Sequence, residues 1–145
     1  MQILVIHGPN LNLLGTREPE IYGHTTLAQI DAMLAAAAKQ AGYELECHQS
    51  NHEGVLIDRI QEARGVAAGI LVNPAGLTHS SVSLRDALAA SELPVVEVHL
   101  SNVFARESFR QHSYVSGVAL GVVSGFGPES YRLGLEALVG HLDKR

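Results

Sequence analysis

Short apolar runs alternate with amphipathic stretches along the chain. The apolar runs are rich in β-branched residues, as in strands covered on both faces, and they predict strands at 3–7, 43–48, 69–72, 95–100 and 118–123. The stretches between and after them repeat apolar residues at helical spacing and predict helices at 27–41, 55–64, 80–90 and 128–142. This alternation predicts a parallel sheet with helices on both faces and right-handed crossovers.

Five strands in this arrangement favour a flavodoxin-like α/β fold with the strand order 2-1-3-4-5. The chain has 145 residues, the size of one ordinary domain. No internal repeat, low-complexity tract or linker interrupts the pattern. We therefore expect a single domain over 1–145.

Polar side chains follow three of the predicted strands, where such sheets bind their ligands. The first, third and fourth strands are neighbours in the predicted order, so these side chains should meet at one edge of the sheet. The residues concerned are Asn10, Asn12, Arg17 and Tyr22 after the first strand; Asn73, Thr78, His79 and Ser80, together with Gly76, after the third; and His99, Ser101, Asn102, Arg106 and Arg110 at and beyond the end of the fourth.

Composition narrows the class of protein. The net charge of −5 argues against the broad basic surface that binds nucleic acid or an anionic membrane. No apolar stretch approaches the roughly 20 residues of a membrane span. Cys47 is the only cysteine, which favours a reducing, cytoplasmic setting. Lys39 and Lys144 are the only lysines, and neither is placed to form an imine with a substrate.

The predicted polar cluster lacks the residues and motifs that characterise several common enzyme classes. It has no pair of carboxylates for glycoside hydrolysis, no G-x-S-x-G elbow, and no glycine-rich nucleotide-binding motif. His7, His79 and His99 could be imagined as metal ligands, but no ligand spacing supports that idea, and we expect no metal. Histidine, tyrosine, asparagine and arginine together suit proton transfer on a small anionic substrate rich in oxygen.

Three separated segments strongly resemble the type II 3-dehydroquinate dehydratases. They read GPNLNLLGTREPEIYG at 8–23, NPAGLTHSS at 73–81 and EVHLSN at 97–102. The resemblance extends from Ile3 to about Leu138. It implies anti elimination of water from 3-dehydroquinate, through an enolate, to give 3-dehydroshikimate. It further implies that no cofactor is used and that the chain assembles as a dodecamer, a tetramer of trimers.

The resemblance also implies roles for individual residues. Tyr22 would be the base, Arg17 would stabilise tyrosinate and the developing negative charge, and His99 would be the acid. Asn10 would help to stabilise the enolate through a water. The positions implied to bind substrate are Asn73, Gly76, His79, Leu100, Ser101 and Arg110, with Asp86 reaching it from a neighbouring subunit.

Electrostatics is consistent with a Tyr22–Arg17 pair. Lowering the pKa of a tyrosine from about 10 toward 7 takes about 4 kcal/mol. One arginine charge at about 4 Å supplies roughly that amount at an effective dielectric constant near 20. The loop carrying both residues must close to exclude water, and we expect 8–24 to be mobile without ligand.

Two other interpretations compete with this one. A flavin-binding or receiver-type domain of the same architecture is disfavoured because the loop after the first strand lacks the residues that either would need. The remaining alternative is a non-enzymatic oligomeric scaffold of the same fold that binds small anions. Separately, Ala75 stands where many members of the resembled family have glycine, so a positive φ there would strain the backbone.

Overall fold

A computed structural model describes residues 1–144, apart from the side chain of Tyr22. Arg145 lies outside the described part of the chain. The strands are β1 (Gln2–His7), β2 (Glu44–Gln49), β3 (Ala67–Asn73), β4 (Val95–His99) and β5 (Gly121–Ser124). The helices are the short α1 (Pro19–Tyr22), α2 (Leu27–Gln40), α3 (Glu53–Ala63), α4 (Val82–Ser91) and α5 (Glu129–Asp143).

All four strand pairings are parallel, and the order is β2-β1-β3-β4-β5, which confirms the predicted topology. The fifth strand begins three residues later than predicted. Ser113 causes this difference, because its hydroxyl accepts from the backbone N–H groups of Val115 and Ser116 and shapes a tight turn. A 3₁₀ turn, Ser116–Val118, therefore occupies the start of the predicted strand.

The sheet separates two apolar layers. Alternate residues of β1 face opposite layers, since successive side chains of a strand point to opposite faces. Ile3 and Val5 pack in the layer formed with α2 and α5, whereas Leu4 and Ile6 pack in the layer formed with α3 and α4. In the described part of the chain, no helix is long and apolar enough to cross a bilayer.

Two sequence features position α2 and α5, the helices that cover the layer containing Ile3 and Val5. Thr26 and Gln29 form a reciprocal capping box at the start of α2, each side chain accepting from the other's backbone N–H. Gly134 lets α5 approach β4 closely, because a Cβ at this position would lie 2.4 Å from Cγ1 of Val98. These contacts fix α5 against the strands that end at the polar edge of the sheet.

Candidate active site

The loops after β1 and β3 are joined at the carboxyl edge of the sheet. The backbone N–H of Gly8 donates to the carbonyl of Asn73 at 2.8 Å. A Cβ at position 8 would lie 2.3 Å from the carbonyl oxygen of Pro74, so the close approach requires glycine. This contact holds the first residues of the two loops in a fixed relation.

A cleft opens above this junction, between the loops after β1, β3 and β4. Seven of the residues predicted for the site line it: Arg17, Asn73, His79, His99, Leu100, Ser101 and Arg110. Arg106 lines it as well. Three guanidinium groups on one cleft suit a ligand that carries negative charge.

His99 is paired with a buried carboxylate that the sequence reasoning did not single out. Nε2 of His99 lies 2.5 Å from Oε2 of Glu97, and the two side chains are 7% and 1% exposed. Burial alone would raise the pKa of Glu97, but hydrogen bonds from His99, Ser116 and Ser113 outweigh it, so this pKa lies below its ordinary value. The ionised carboxylate accepts from the imidazole N–H and so orients the ring.

Glu97 and His99 could have been linked by their spacing. Residues two apart on a strand point to the same face, so a carboxylate at that spacing from a strand-end histidine is a natural partner. Ser116 lies 2.7 Å from Oε1 of Glu97 and Ser113 lies 3.1 Å from Oε2, but both come from a later loop. No sequence spacing identifies those two hydroxyl donors.

The three arginines differ in what holds them. Nη1 of Arg106 donates to the Ser101 hydroxyl at 3.2 Å, and the Arg106 side chain is 15% exposed. Nε of Arg110 donates to Glu107 at 3.2 Å, and its guanidinium carbon lies 4.9 Å from the centre of the Phe109 ring. Arg17 lies 3.5 Å from the carboxylate of Glu18.

His79 faces the cleft with a defined tautomer. Its Nδ1 lies 2.7 Å from the backbone carbonyl of His112, which can only accept, so Nδ1 carries a hydrogen. In the neutral ring, Nε2 is then an acceptor. His79 is therefore suited to accept a hydrogen bond from a ligand hydroxyl.

Asn73 ends β3 and is held at both ends of its amide. Oδ1 accepts from the backbone N–H of Ala75 at 3.1 Å, and Nδ2 donates to the Tyr131 hydroxyl at 3.1 Å. Ala75 has a φ of 54°, the positive value considered from the sequence. The strained turn and the ordered amide lie at the same point of the site, where such strain is often found.

The structure does not bring every predicted residue to the cleft. Asn10 is exposed in a left-handed conformation, and its N–H donates to Asn51 at 2.9 Å. Gly76 is exposed beyond the lining, and Asp86 lies on the exposed face of α4, 3.1 Å from Arg85. The Tyr22 side chain lies outside the described residues.

Among the described residues, one group of potential metal ligands lies close together, and it does not line the cleft. Ligand atoms of His7, Asp31 and Cys47 lie within 4.8 Å of one another. Nε2 of His7 is already within hydrogen-bond distance of Asp31, at 2.7 Å. Burial, together with the charge of Asp31 and a hydrogen bond to it, raises the pKa of Cys47 to about 12. A protonated thiol is a poor metal ligand.

Comparison with known proteins identifies the family. The model of the family "Dehydroquinase class II" matches residues 1–139. The chain is 58% identical over 144 residues to a 3-dehydroquinate dehydratase of Geotalea daltonii, covering 99% of this chain and 100% of that protein. It is 61% identical over 143 residues to one of Xanthomonas campestris, covering 98% and 97%.

A solved structure agrees with these sequence matches. The type II dehydroquinase of Butyrivibrio crossotus superposes with a TM-score of 0.92 at 46% identity, covering 95% of this chain and 97% of that one. The fold, the converging histidines and arginines, and the sequence matches all agree. The chain belongs to the class II dehydroquinase family.

Proposed function

We propose that this protein removes water from 3-dehydroquinate to give 3-dehydroshikimate, acting through residues 1–145 as a single catalytic domain. The observation that carries the proposal is a cleft holding three arginines beside a histidine that is paired with a buried carboxylate. An anionic, hydroxylated substrate and a hydroxyl leaving group are what this set of side chains can bind and protonate. Family membership and the names of the relatives support the same reaction.

In the first step, the Tyr22 phenolate takes the proton from C2 of the substrate. The electrons of the C2–H bond form an enolate with the neighbouring C3 carbonyl. Arg17, five residues earlier in the chain, stabilises the phenolate and the enolate charge, because a guanidinium stays protonated while tyrosine titrates. Asn10 assists the enolate through a water once the loop closes over the ligand.

In the second step, His99 donates its proton to the C1 hydroxyl, which leaves as water. The enolate electrons form the C1–C2 double bond and restore the C3 carbonyl, so that the product is a conjugated enone. Glu97 supports this step, because its buried negative charge stabilises the imidazolium that must be present before proton transfer. Asn73 assists by hydrogen bonding at the leaving oxygen.

The remaining side chains bind the substrate. The Ser101 hydroxyl and the backbone of Leu100 and Ser101 bind the carboxylate, and Arg106 supports this subsite through its contact with Ser101. His79 and Arg110 bind ring hydroxyls. Gly76 would contact the substrate from the loop that follows β3. No cofactor or metal takes part.

A homo-oligomer, the dodecamer built as a tetramer of trimers, is part of the proposal. Apolar side chains around the edge strand β5 are exposed, namely Phe104, Leu120, Val122 and Phe126. A neighbouring subunit would cover such a patch and bring Asp86 toward the adjoining cleft. Light scattering should give a mass about twelve times the 15.5 kDa of one chain. We place this assembly in the cytoplasm, in keeping with the single cysteine of the chain.

The test is the ultraviolet absorbance of the enone when purified protein meets 3-dehydroquinate, with Tyr22→Phe measured in parallel. Turnover by the wild type and its collapse in the variant are expected. Turnover that survives the substitution would keep the reaction and refute the base. Absence of turnover in folded wild-type protein would favour the non-enzymatic scaffold.

A further inference from the structure

A row of four hydrogen-bonded side chains runs beneath the cleft and ends at Asn73. Nδ2 of Asn73 lies 3.1 Å from the Tyr131 hydroxyl, which lies 2.8 Å from Nδ1 of His7. Nε2 of His7 lies 2.7 Å from Oδ1 of Asp31. Tyr131 and His7 are fully buried and Asn73 is 3% exposed, so solvent offers these groups little alternative.

With the His7 ring neutral, every hydrogen bond in this row has one direction. An ionised carboxylate only accepts, so Nε2 of His7 donates to Asp31 and Nδ1 of the neutral ring accepts. Burial holds the pKa of Tyr131 above its ordinary value, so the phenol keeps its proton. Tyr131 then donates to His7, and its oxygen is left to accept from Nδ2 of Asn73.

This polarity allows only one orientation of the Asn73 amide. If the amide turned over, Oδ1 would face a phenol whose single hydrogen is already donated to His7. Nδ2 would at the same time face the backbone N–H of Ala75, a donor meeting a donor. Both mismatches would leave buried polar groups without partners, which is costly in a protein interior.

We propose that Tyr131 and His7 are positioning residues for the dehydration: they lock the Asn73 amide so that its second Nδ2 hydrogen faces the leaving hydroxyl. Neither residue lines the cleft, and both act through Asn73. The inference rests on the proposed function. It adds what keeps the Asn73 amide in one orientation. A preorganised donor is worth more than a mobile one, since no reorganisation is needed when the C–O bond breaks.

Asp31, at the end of the row farthest from Asn73, is accessible to solvent. The Asp31 side chain is 34% exposed, so water can replace a lost partner there. The Cys47 thiol also hydrogen-bonds to Asp31, so this carboxylate keeps one partner when another is lost. We therefore expect the effect of a substitution on catalysis to grow from Asp31 toward Tyr131.

A double-mutant cycle tests the proposal. Tyr131→Phe removes one hydroxyl and keeps the ring, and kcat should fall by about 10- to 100-fold with a smaller change in KM. In an Asn73→Ala background, the same substitution should have almost no further effect on kcat, because its route to the substrate is gone. Equal losses of kcat in both backgrounds, or an unchanged kcat in the single variant, would overturn the proposal.

A matched pair at His7 separates hydrogen bonding from folding. The Asn side chain can place an acceptor near the position of Nδ1, whereas that of Gln reaches the position of Nε2. His7→Gln should therefore lose kcat as Tyr131→Phe does, and His7→Asn should recover most of that loss. The opposite ranking would overturn the proposal. Leu138→Val is the control for lost packing, because Leu138 is a core residue on α5, the helix that carries Tyr131.

A crystal structure of Tyr131→Phe gives a readout that does not depend on turnover. Nδ2 of Asn73 loses its partner in this variant. The amide should therefore be less well ordered than in the wild type, and an equally well ordered amide would contradict the locking role. If wild-type protein showed no turnover, the proposed function would fail while this structural comparison still decided whether Tyr131 orders Asn73.

Discussion

Replacing Glu97 by glutamine tests how far catalysis depends on the negative charge beside His99. The substitution keeps the shape of the side chain and one acceptor oxygen but removes the charge. In the native site, Oε2 of Glu97 accepts from His99 at 2.5 Å, and both side chains are almost fully buried. Water therefore screens the pair little, and the loss should be larger than for a surface pair.

Two estimates bracket the magnitude. Opposite charges about 4 Å apart at an effective dielectric constant near 20 attract by about 4 kcal/mol, which is the larger of the two estimates. A hydrogen bond to a charged group contributes about 1.5–3 kcal/mol to stability. Since about 1.36 kcal/mol corresponds to a factor of ten, Glu97→Gln should lower kcat by roughly 10- to 1,000-fold.

The assay is the rate of enone absorbance at saturating 3-dehydroquinate, with circular dichroism to show that the variant is folded. Ser116→Ala is the matched control, because it removes one hydroxyl that donates to Glu97 and keeps the charge. It should lower kcat by less than tenfold. A Glu97→Gln variant within threefold of the wild type, or a larger loss in Ser116→Ala, would refute the electrostatic reasoning.

Three further predictions concern stability and reactivity. Ala75 has a φ of 54°, which costs a residue with a side chain about 1–2 kcal/mol. Ala75→Gly should therefore raise the free energy of unfolding, measured by urea titration, by up to about 1 kcal/mol. A decrease would show that the packing of the Ala75 methyl outweighs the strain. Gly134→Ala should lower the free energy of unfolding by about 1–3 kcal/mol, because the new methyl group would clash with Val98. An unchanged urea midpoint would contradict the close packing of α5. Burial and Asp31 raise the pKa of Cys47 to about 12, so at pH 8 the folded protein should react with iodoacetamide far more slowly than the urea-unfolded chain. Equal rates would contradict this prediction. The Cys47→Ser variant measures the reaction at groups other than Cys47.

The strand order could be predicted from the sequence because each strand is a short apolar run followed by a helical pattern. The position of β5 could not, since the turn around Ser113 depends on where its side chain lies in three dimensions. Helix α1 was missed for a related reason. Its four residues, Pro19–Tyr22, lie inside a loop whose glycine, proline and asparagine content predicts irregular backbone.

The position of a residue at the cleft could be predicted where that residue ends a strand. Asn73 and His99 occupy the last positions of β3 and β4, and the topology alone brings them to one cleft. The residues behind them were harder to find. Tyr131 lies on α5, 58 positions beyond Asn73, and a buried tyrosine in a helix reads as packing until its hydroxyl partners are known.

The carboxylate subsite proposed at Ser101, beside Arg106, has a consequence for inhibitor chemistry. A ligand that exchanged its carboxylate for a neutral group would lose charge-assisted hydrogen bonds, which are about twice as strong as neutral ones. A ligand that keeps the carboxylate must be taken out of water to cross a lipid bilayer, where an unpaired charge is very costly. Affinity and passive uptake therefore make opposite demands on the same functional group. A masked acid that is released after entry would meet both demands.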